Sequence, residues 1–449
     1  MKQNKRIDIL NGQLLKSIIL FTIPIAVSSV LQQLFNSADT AVAGKFGSSN
    51  ALAAVGTTGE IVALIVSISA GLSIGANVVI SHLIGSEKKN EIPQAISSII
   101  KISIFSGLII GITGQFLSSY HLKIINTPEN IVHSASLYLR IYFIGVPFMV
   151  IYDFGAAILR ASGNSKKPLN ALIISGVVNV LLNLFFVVFL KMDIAGVAAA
   201  TDIANALSAA LILIWLRKRN DVFKLTFNSA KIDIKILGNV LRIGVPSALQ
   251  GSVFCIANIF IQAAVNKFGS DASAGSAIAM NYEYISYYII TAFGQTATTF
   301  ISQNYAAKNL KRCKNTLIIC LLSAFTGCSA ITLPVTIFCR KASLLFSSSE
   351  AIIDNSCLRI AIIVVLVPIC VLYEIPASAM RGYGISLLPA IEIILGICAF
   401  RIIWIFTIFK HFNSLKILYM AFPVSWVITS TIILITYFIE KRKINKTLR

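Results

Sequence analysis

The chain is written in long apolar runs. Between Lys16 and Asp39, Glu60 and Glu87, Lys101 and Lys123, Lys167 and Lys191, Arg242 and Lys267, Glu283 and Lys308, Lys314 and Arg340, and Lys416 and Glu440 lie eight stretches free of Asp, Glu, Lys and Arg. Each exceeds the roughly 20 residues that a helix needs to cross a bilayer. Four further stretches, around residues 135–160, 194–216, 355–381 and 390–409, are as long but carry one to three charges. The pattern predicts an all-α polytopic membrane protein with twelve transmembrane helices. Turn residues such as Thr127-Pro128 and Gly163-Asn164 separate the runs. Uninterrupted apolar runs suit helices, which satisfy their own backbone groups in lipid, better than an alternating β-barrel.

Composition changes the picture in one respect. Of the 449 residues 12% are charged, about half the roughly 25% of a soluble protein, so no separate soluble domain fits. The formal charge of +20 would suggest nucleic acid in a soluble protein, but its distribution follows topology. With a cytoplasmic amino terminus, 26 Lys and Arg fall on the inner side and 10, Arg359 among them, on the outer side. The positive-inside rule therefore predicts a cell-membrane protein with both termini cytoplasmic and no nucleic-acid partner. The basic tail from Lys441 is expected to meet anionic lipid. The first apolar run is too long for a secretory signal and reads as a true span. The eight cysteines show no C-x-x-C spacing and read as small apolar fillers.

The sequence repeats itself. A shift of 222 residues superposes Pro24 on Pro246, Asn36 on Asn258, and Lys45-Phe46-Gly47-Ser48 on Lys267-Phe268-Gly269-Ser270. A shift of 221 pairs Tyr152 with Tyr373, Asp153 with Glu374, Arg160 with Arg381, Gly163 with Gly384 and Pro168 with Pro389. This predicts an amino-terminal six-helix bundle over 1–216, a cytoplasmic linker over 217–236, and a carboxyl-terminal bundle over 237–449 with a basic tail. Six is even, so both bundles enter the membrane in the same sense, related by a pseudo-twofold axis along the membrane normal. Such a double bundle is transporter architecture, expected to act as a monomer by rocking between two accesses. Pro24 and Pro246 sit in register near the middle of each first helix and are candidate hinges, since proline removes a helical hydrogen bond. Gly71 with Gly75, and Gly107 with Gly111, read as helix-packing faces.

Ionisable groups inside a membrane are costly and by default face a cavity or a partner. Asp39 falls in the outer part of the first span. Asn179 and Asn183 lie one turn apart on the fifth, about 17 and 23 Å from its inner end, and Thr201 lies about 10 Å below the outer end of the sixth. These four can converge as an oxygen nest for a small hard cation such as Na⁺; a desolvated carboxylate there would also take a proton. Ordinary interhelical hydrogen bonds are the alternative. Asp153 and Glu374 each precede an arginine by two turns and read as charge-pair members or as lining of the inner mouth. Glu60 and Glu283 stand near outer span ends, where either would attract a cationic substrate. Asp202 is a neighbour of Thr201. Arg401 is expected to pack against another helix rather than reach Glu392.

These residues resemble the multidrug and toxic compound extrusion (MATE) family of secondary transporters, over essentially the whole chain. The resemblance rests on PIAVSSVLQQLFNSADTAVAGKFGSSNALAAVG at 24–56, GAAILRASGNSKKPL at 155–169, NVLLN at 179–183, AGVAAAT at 195–201, GVPSALQ at 244–250, GQTATTFISQNYAAKN at 294–309 and SAMRGYGISLLP at 378–389. It implies export of organic cations and amphipathic drugs in exchange for Na⁺ or H⁺, without other cofactors. It also implies that Asp39 is the cation-site carboxylate, that Asn179 and Thr201 are its oxygen ligands, and that Pro24 marks the bend of the first helix associated with drug release. Three positions depart from the family pattern: Asn183 stands where many relatives carry aspartate, Phe254 and Cys370 fall near acids that some relatives use in the second half, and Ala306 replaces a usual glycine. No G-x-x-x-x-G-K-S/T loop is present to bind ATP. A flippase for a lipid-linked precursor would want a cationic cavity, and a membrane-embedded enzyme would want clustered His, Asp or metal ligands; both rank below the antiporter.

Overall fold

The computed structural model describes residues 6–124, 127–226 and 232–447, so part of the linker, at 227–231, and the last two residues of the basic tail lie outside the described residues. Twelve long helices follow one another: α1 (Leu14–Phe46), α2 (Ser49–Gly85), α3 (Ile92–Ile124), α4 (Glu129–Ala161), α5 (Lys166–Phe189), α6 (Asp193–Arg217), α7 (Ile234–Asn266), α8 (Ser270–Ala306), α9 (Leu310–Ile337), α10 (Glu350–Gly382), α11 (Leu387–Phe412) and α12 (Leu415–Thr447). A short helix, Cys339–Leu344, precedes α10. Among the described residues, eleven of these twelve are long and apolar enough to span a membrane; the protein is a multi-span membrane protein. The exception, α8, has 37 residues and carries its polarity inward. Thr298 Oγ1 donates to the Ser378 carbonyl at 3.0 Å and Ser302 Oγ to that of Gly382 at 3.1 Å. Buried hydroxyls that find carbonyl partners cost little.

The repeat is visible in the helix ends. α1 and α7 both have 33 residues, α2 and α8 both 37, and α4 and α10 start and end 221 positions apart. Left-handed backbone recurs at matching turns: Glu87 (φ 58°) with Lys308 (59°), Gly163 (80°) with Gly384 (87°), and Lys191 (53°) with Asn413 (37°). The offset of the first two pairs is 221 and that of the third 222. The extra residue is absorbed in α11, which has π-helical turns at Ile394–Ala399 and Ile405–Phe409 where α5 has one, at Phe185–Phe189; the turn at Ile394–Ala399 is the one without a counterpart. A turn closed by i→i+5 bonds holds one residue more than an α turn without breaking the helix.

Two compact units result. Unit 1 comprises residues up to Asp8 together with Ile23–Ala248; unit 2 comprises Ile9–Thr22 and Leu249–Arg449. The divisions therefore fall inside α1 and α7, each within two residues of its proline, rather than in the linker. Packing supplies the reason. In unit 2 the Phe21 ring meets Phe300 edge-on at 5.4 Å, and Thr22 shares a hydrogen bond of 2.8 Å with Thr296. In unit 1 a Cβ at Gly71 or Gly75 would run into the backbone of Ala248 or Val240, so the first half of α7 lies close against α2. Gly107 and Gly111 do the same for α3 against α4: a Cβ at Gly107 would come to 2.7 Å from the Pro147 Cα, and one at Gly111 to 2.9 Å from the Phe143 carbonyl oxygen. Both helix-packing faces expected from the sequence are thus present.

At the linker end of unit 1, Arg219 pairs with Asp221 at 3.0 Å, stacks on Phe223 and bonds Ser162 Oγ, while Arg6 also contacts Asp221. Burial and the neighbouring Arg6 charge pull Arg219 down to about 10, so it stays cationic at neutral pH.

Candidate cation site

Asp39 is 7% exposed on α1, seven residues before the helix ends. α5 brings Asn179 and Asn183 to it on one face, and α6 brings Thr201. Asn183 Nδ2 donates to Asp39 Oδ1 at 2.5 Å, and Thr201 Oγ1 lies 3.1 Å from Asp39 Oδ2. Asn183 Nδ2 also lies 3.3 Å from Asn179 Oδ1, and Asn179 Nδ2 lies 3.4 Å from Thr201 Oγ1. All four predicted residues therefore meet, within unit 1. Gly176, one turn before Asn179, allows this approach: a Cβ there would collide with the Phe35 ring on α1.

The donor set fits a hard monovalent cation. It offers a carboxylate, two amide oxygens and a hydroxyl, and Asn183 Oδ1 is buried without a hydrogen-bond partner. An orphaned buried acceptor costs about 1 to 3 kcal/mol, a cost that a bound cation would remove. Rotating an amide by half a turn exchanges its NH₂ and oxygen without changing its shape. The groups that now donate to Asp39 can in that way face a cation as acceptors. No group of three or more His, Cys, Asp or Glu side chains suited to a metal occurs among the described residues, so the nest is one of amides around a single acid.

The other candidates separate. Asp202, beside Thr201 in sequence, turns to α4, where a Cβ on Gly145 would collide with its carboxylate. Asp153 accepts a 2.5 Å hydrogen bond from Ser69 on α2. Its repeat partner Glu374 is ion-paired with Arg381 at 3.2 Å, and Arg381 also donates to Gln250 Oε1 at 2.8 Å. That places Glu374 in a buried charge pair rather than on an open mouth. Glu283 needs a correction: it is held by Arg359 at 2.8 Å, so its charge is already matched and not offered to a substrate. Arg359, counted above as an outer-side charge, is 3% exposed in the body of α10. The sequence did not single out this pair, because α10 also holds Asp354, Glu374 and Arg381. Glu60 is exposed on α2. Arg401, 1% exposed, packs as expected on another helix, α12, and Glu392 instead accepts from Thr436 at 2.5 Å. Pro24 and Pro246 lie inside continuous helices.

A MatE family profile matches the chain twice, at residues 24–185 and 246–407. The chain belongs to the MatE family. The two matches repeat the internal offset of 222, and the first contains Asp39, Asn179 and Asn183. Among relatives, the MatE chain is 24% identical over 441 residues to the probable multidrug resistance protein YoeA of Bacillus subtilis (strain 168), covering 95% of this chain and 94% of that one. It is 25% identical over 407 residues to the probable multidrug resistance protein NorM of Thermotoga maritima, covering 89% and 86%. Its fold is that of the crystal structure of MATE in the bent conformation, with a TM-score of 0.91 at 21% identity over 100% of both chains. A MOP superfamily transporter from Pyrococcus furiosus gives the same TM-score and identity, over 99% of this chain and 100% of that one. These likenesses establish two six-helix bundles as the architecture.

Proposed function

We propose that this MatE protein is an antiporter of the cell membrane, with both termini cytoplasmic, that exports organic cations and amphipathic drugs in exchange for Na⁺ or H⁺. The names of its relatives support drug export. The observation that carries the coupling is the carboxylate of Asp39, buried on α1 and bonded to side chains from α5 and α6. Neutralising that charge changes what α1 prefers to touch. A cation draws the Asn179, Asn183 and Thr201 oxygens inward, whereas a proton turns Asp39 from acceptor into donor. Either ligand biases the helix only by its differential affinity for two states, and export requires that drug prefer the other state.

α1 has the means to respond. Pro24 leaves the Leu20 carbonyl without its usual donor, and Thr22 and Ser28 on either side bond back to Ile18 and Pro24 carbonyls at 2.8 and 2.7 Å. MATE structures of this fold have been determined in a bent and a straight conformation, consistent with a first helix that bends at its proline. The test is efflux of a fluorescent organic cation from proteoliposomes under separately imposed Na⁺ and pH gradients. Wild type is expected to respond to one gradient, which names the coupling ion, and Asp39→Asn to neither. Full coupling in Asp39→Asn would refute the proposal.

A further inference from the structure

The first helices match at an offset of 222 and the repeat returns to 222 beyond the π-helical turn of α11, so the positions in unit 2 that correspond to Asp39, Asn179, Asn183 and Thr201 are Ile261, Arg401, Ile405 and Pro423. Unit 2 has lost the acid there and gained a cation. Arg401 is 1% exposed, about 21 Å along α11 from Leu387. Its guanidinium lies over the Phe422 ring at 3.9 Å, with Trp426 at 5.8 Å and Phe254 at 5.9 Å. Among the described residues its hydrogen bond is from Nε to Ser425 Oγ, at 3.2 Å. A guanidinium has five N–H donors, so the Nη fork is unused. The other two buried arginines of unit 2 each hold an acid, Arg359 with Glu283 and Arg381 with Glu374. Arg401 has no carboxylate within salt-bridge distance among the described residues.

A buried charge in lipid is retained where something pairs with it, and a guanidinium fork on an aromatic platform matches a planar oxyanion attached to an apolar body. We infer that Arg401, with Phe422, Trp426 and Phe254, forms a seat in unit 2 for the carboxylate or phosphate group of an amphipathic molecule. The fork takes two oxygens and the rings take the first part of the apolar body. This goes beyond cation coupling at Asp39 and does not depend on it.

Full-length protein in phosphatidylcholine nanodiscs is titrated at pH 7.5 with 11-(dansylamino)undecanoate and with its methyl ester, two probes alike except for the anion. Wild type is expected to bind the acid about tenfold more tightly than the ester, in line with one charge-assisted contact. Arg401→Gln should abolish that preference, and Arg401→Lys, which keeps the charge but not the fork, should leave severalfold. Equal binding of acid and ester by wild type would overturn the seat, as would a preference that survives Arg401→Gln. The wild-type comparison and Arg401→Lys decide the matter if Arg401→Gln fails to fold. Nanodiscs containing phosphatidylglycerol separate the sources: displacement of the acid probe identifies lipid as the occupant, and unchanged affinity identifies a dissolved amphiphile. Asp39→Asn should bind both probes as wild type does, so the seat and the coupling proposal fail by different substitutions.

Discussion

The two halves of the chain place opposite chemistry at equivalent points of one repeat. In unit 1 the fifth and sixth helices deliver two amides and a hydroxyl to a lone carboxylate; in unit 2 the matching helices deliver a guanidinium to a set of aromatic rings. The first, second and fourth helices match in length between the halves and left-handed turns recur, so the difference is carried by side chains and by the one extra residue of α11. A buried charge is also treated differently elsewhere in the two units. Glu374 is locked to an arginine seven residues on, whereas its counterpart Asp153 takes a hydroxyl from Ser69. The scaffold fixes where a charge can stand, and the local partners decide whether it is spent on structure or left to meet a ligand.

Substitutions can break this contrast. The largest effect is expected from Asp39→Asn, which should abolish gradient-driven efflux while protein yield and thermal unfolding stay close to wild type, because the amide oxygen can still accept from Asn183 and its NH₂ can donate to the Thr201 hydroxyl. Next is Glu283→Gln, which leaves Arg359 buried without its acid at a cost of about 3 to 5 kcal/mol. It should lower the unfolding midpoint in detergent, and Arg359→Met in the same chain should recover most of the loss. Asn183→Asp gives unit 1 a second acid and should tighten Na⁺ binding by about tenfold through the added charge, read by competition of Na⁺ with a bound organic cation. The smallest change is predicted for Asp153→Asn, about 1 kcal/mol, because the amide oxygen can still accept from Ser69 and only the charge assistance of that bond is lost. Glu374→Gln should cost several times more in the same unfolding assay. Equal costs would erase the distinction between the two acids.

Much of this was legible in the sequence. Absence of charge, rather than mean hydropathy, found α8, whose many hydroxyls disguise it as a polar segment until their carbonyl partners are seen. Counting residues along α1, α5 and α6 was enough to bring Asp39, Asn179, Asn183 and Thr201 to one depth, because helical rise is nearly constant. What failed was the partner of Glu283. Arg359 lies 76 positions away on another helix, and no periodicity within one span reveals which face of another it meets. The chemistry of Arg401 was hidden for a related reason. Its counterpart is Asn179 only after the offset changes from 221 to 222, and the sequence shows that change without showing where the extra residue is stored.

That stored residue in α11 acts as an indexing pin. Every side chain beyond Ile394–Ala399 is turned by about 100° relative to a helix lacking the insertion. Deleting a single codon there would keep the span and its composition, yet swing the guanidinium off the Phe422 ring toward a different neighbour. The electrical character of half the molecule thus hangs on the length of one turn, a quantity that residue-by-residue substitution cannot reach.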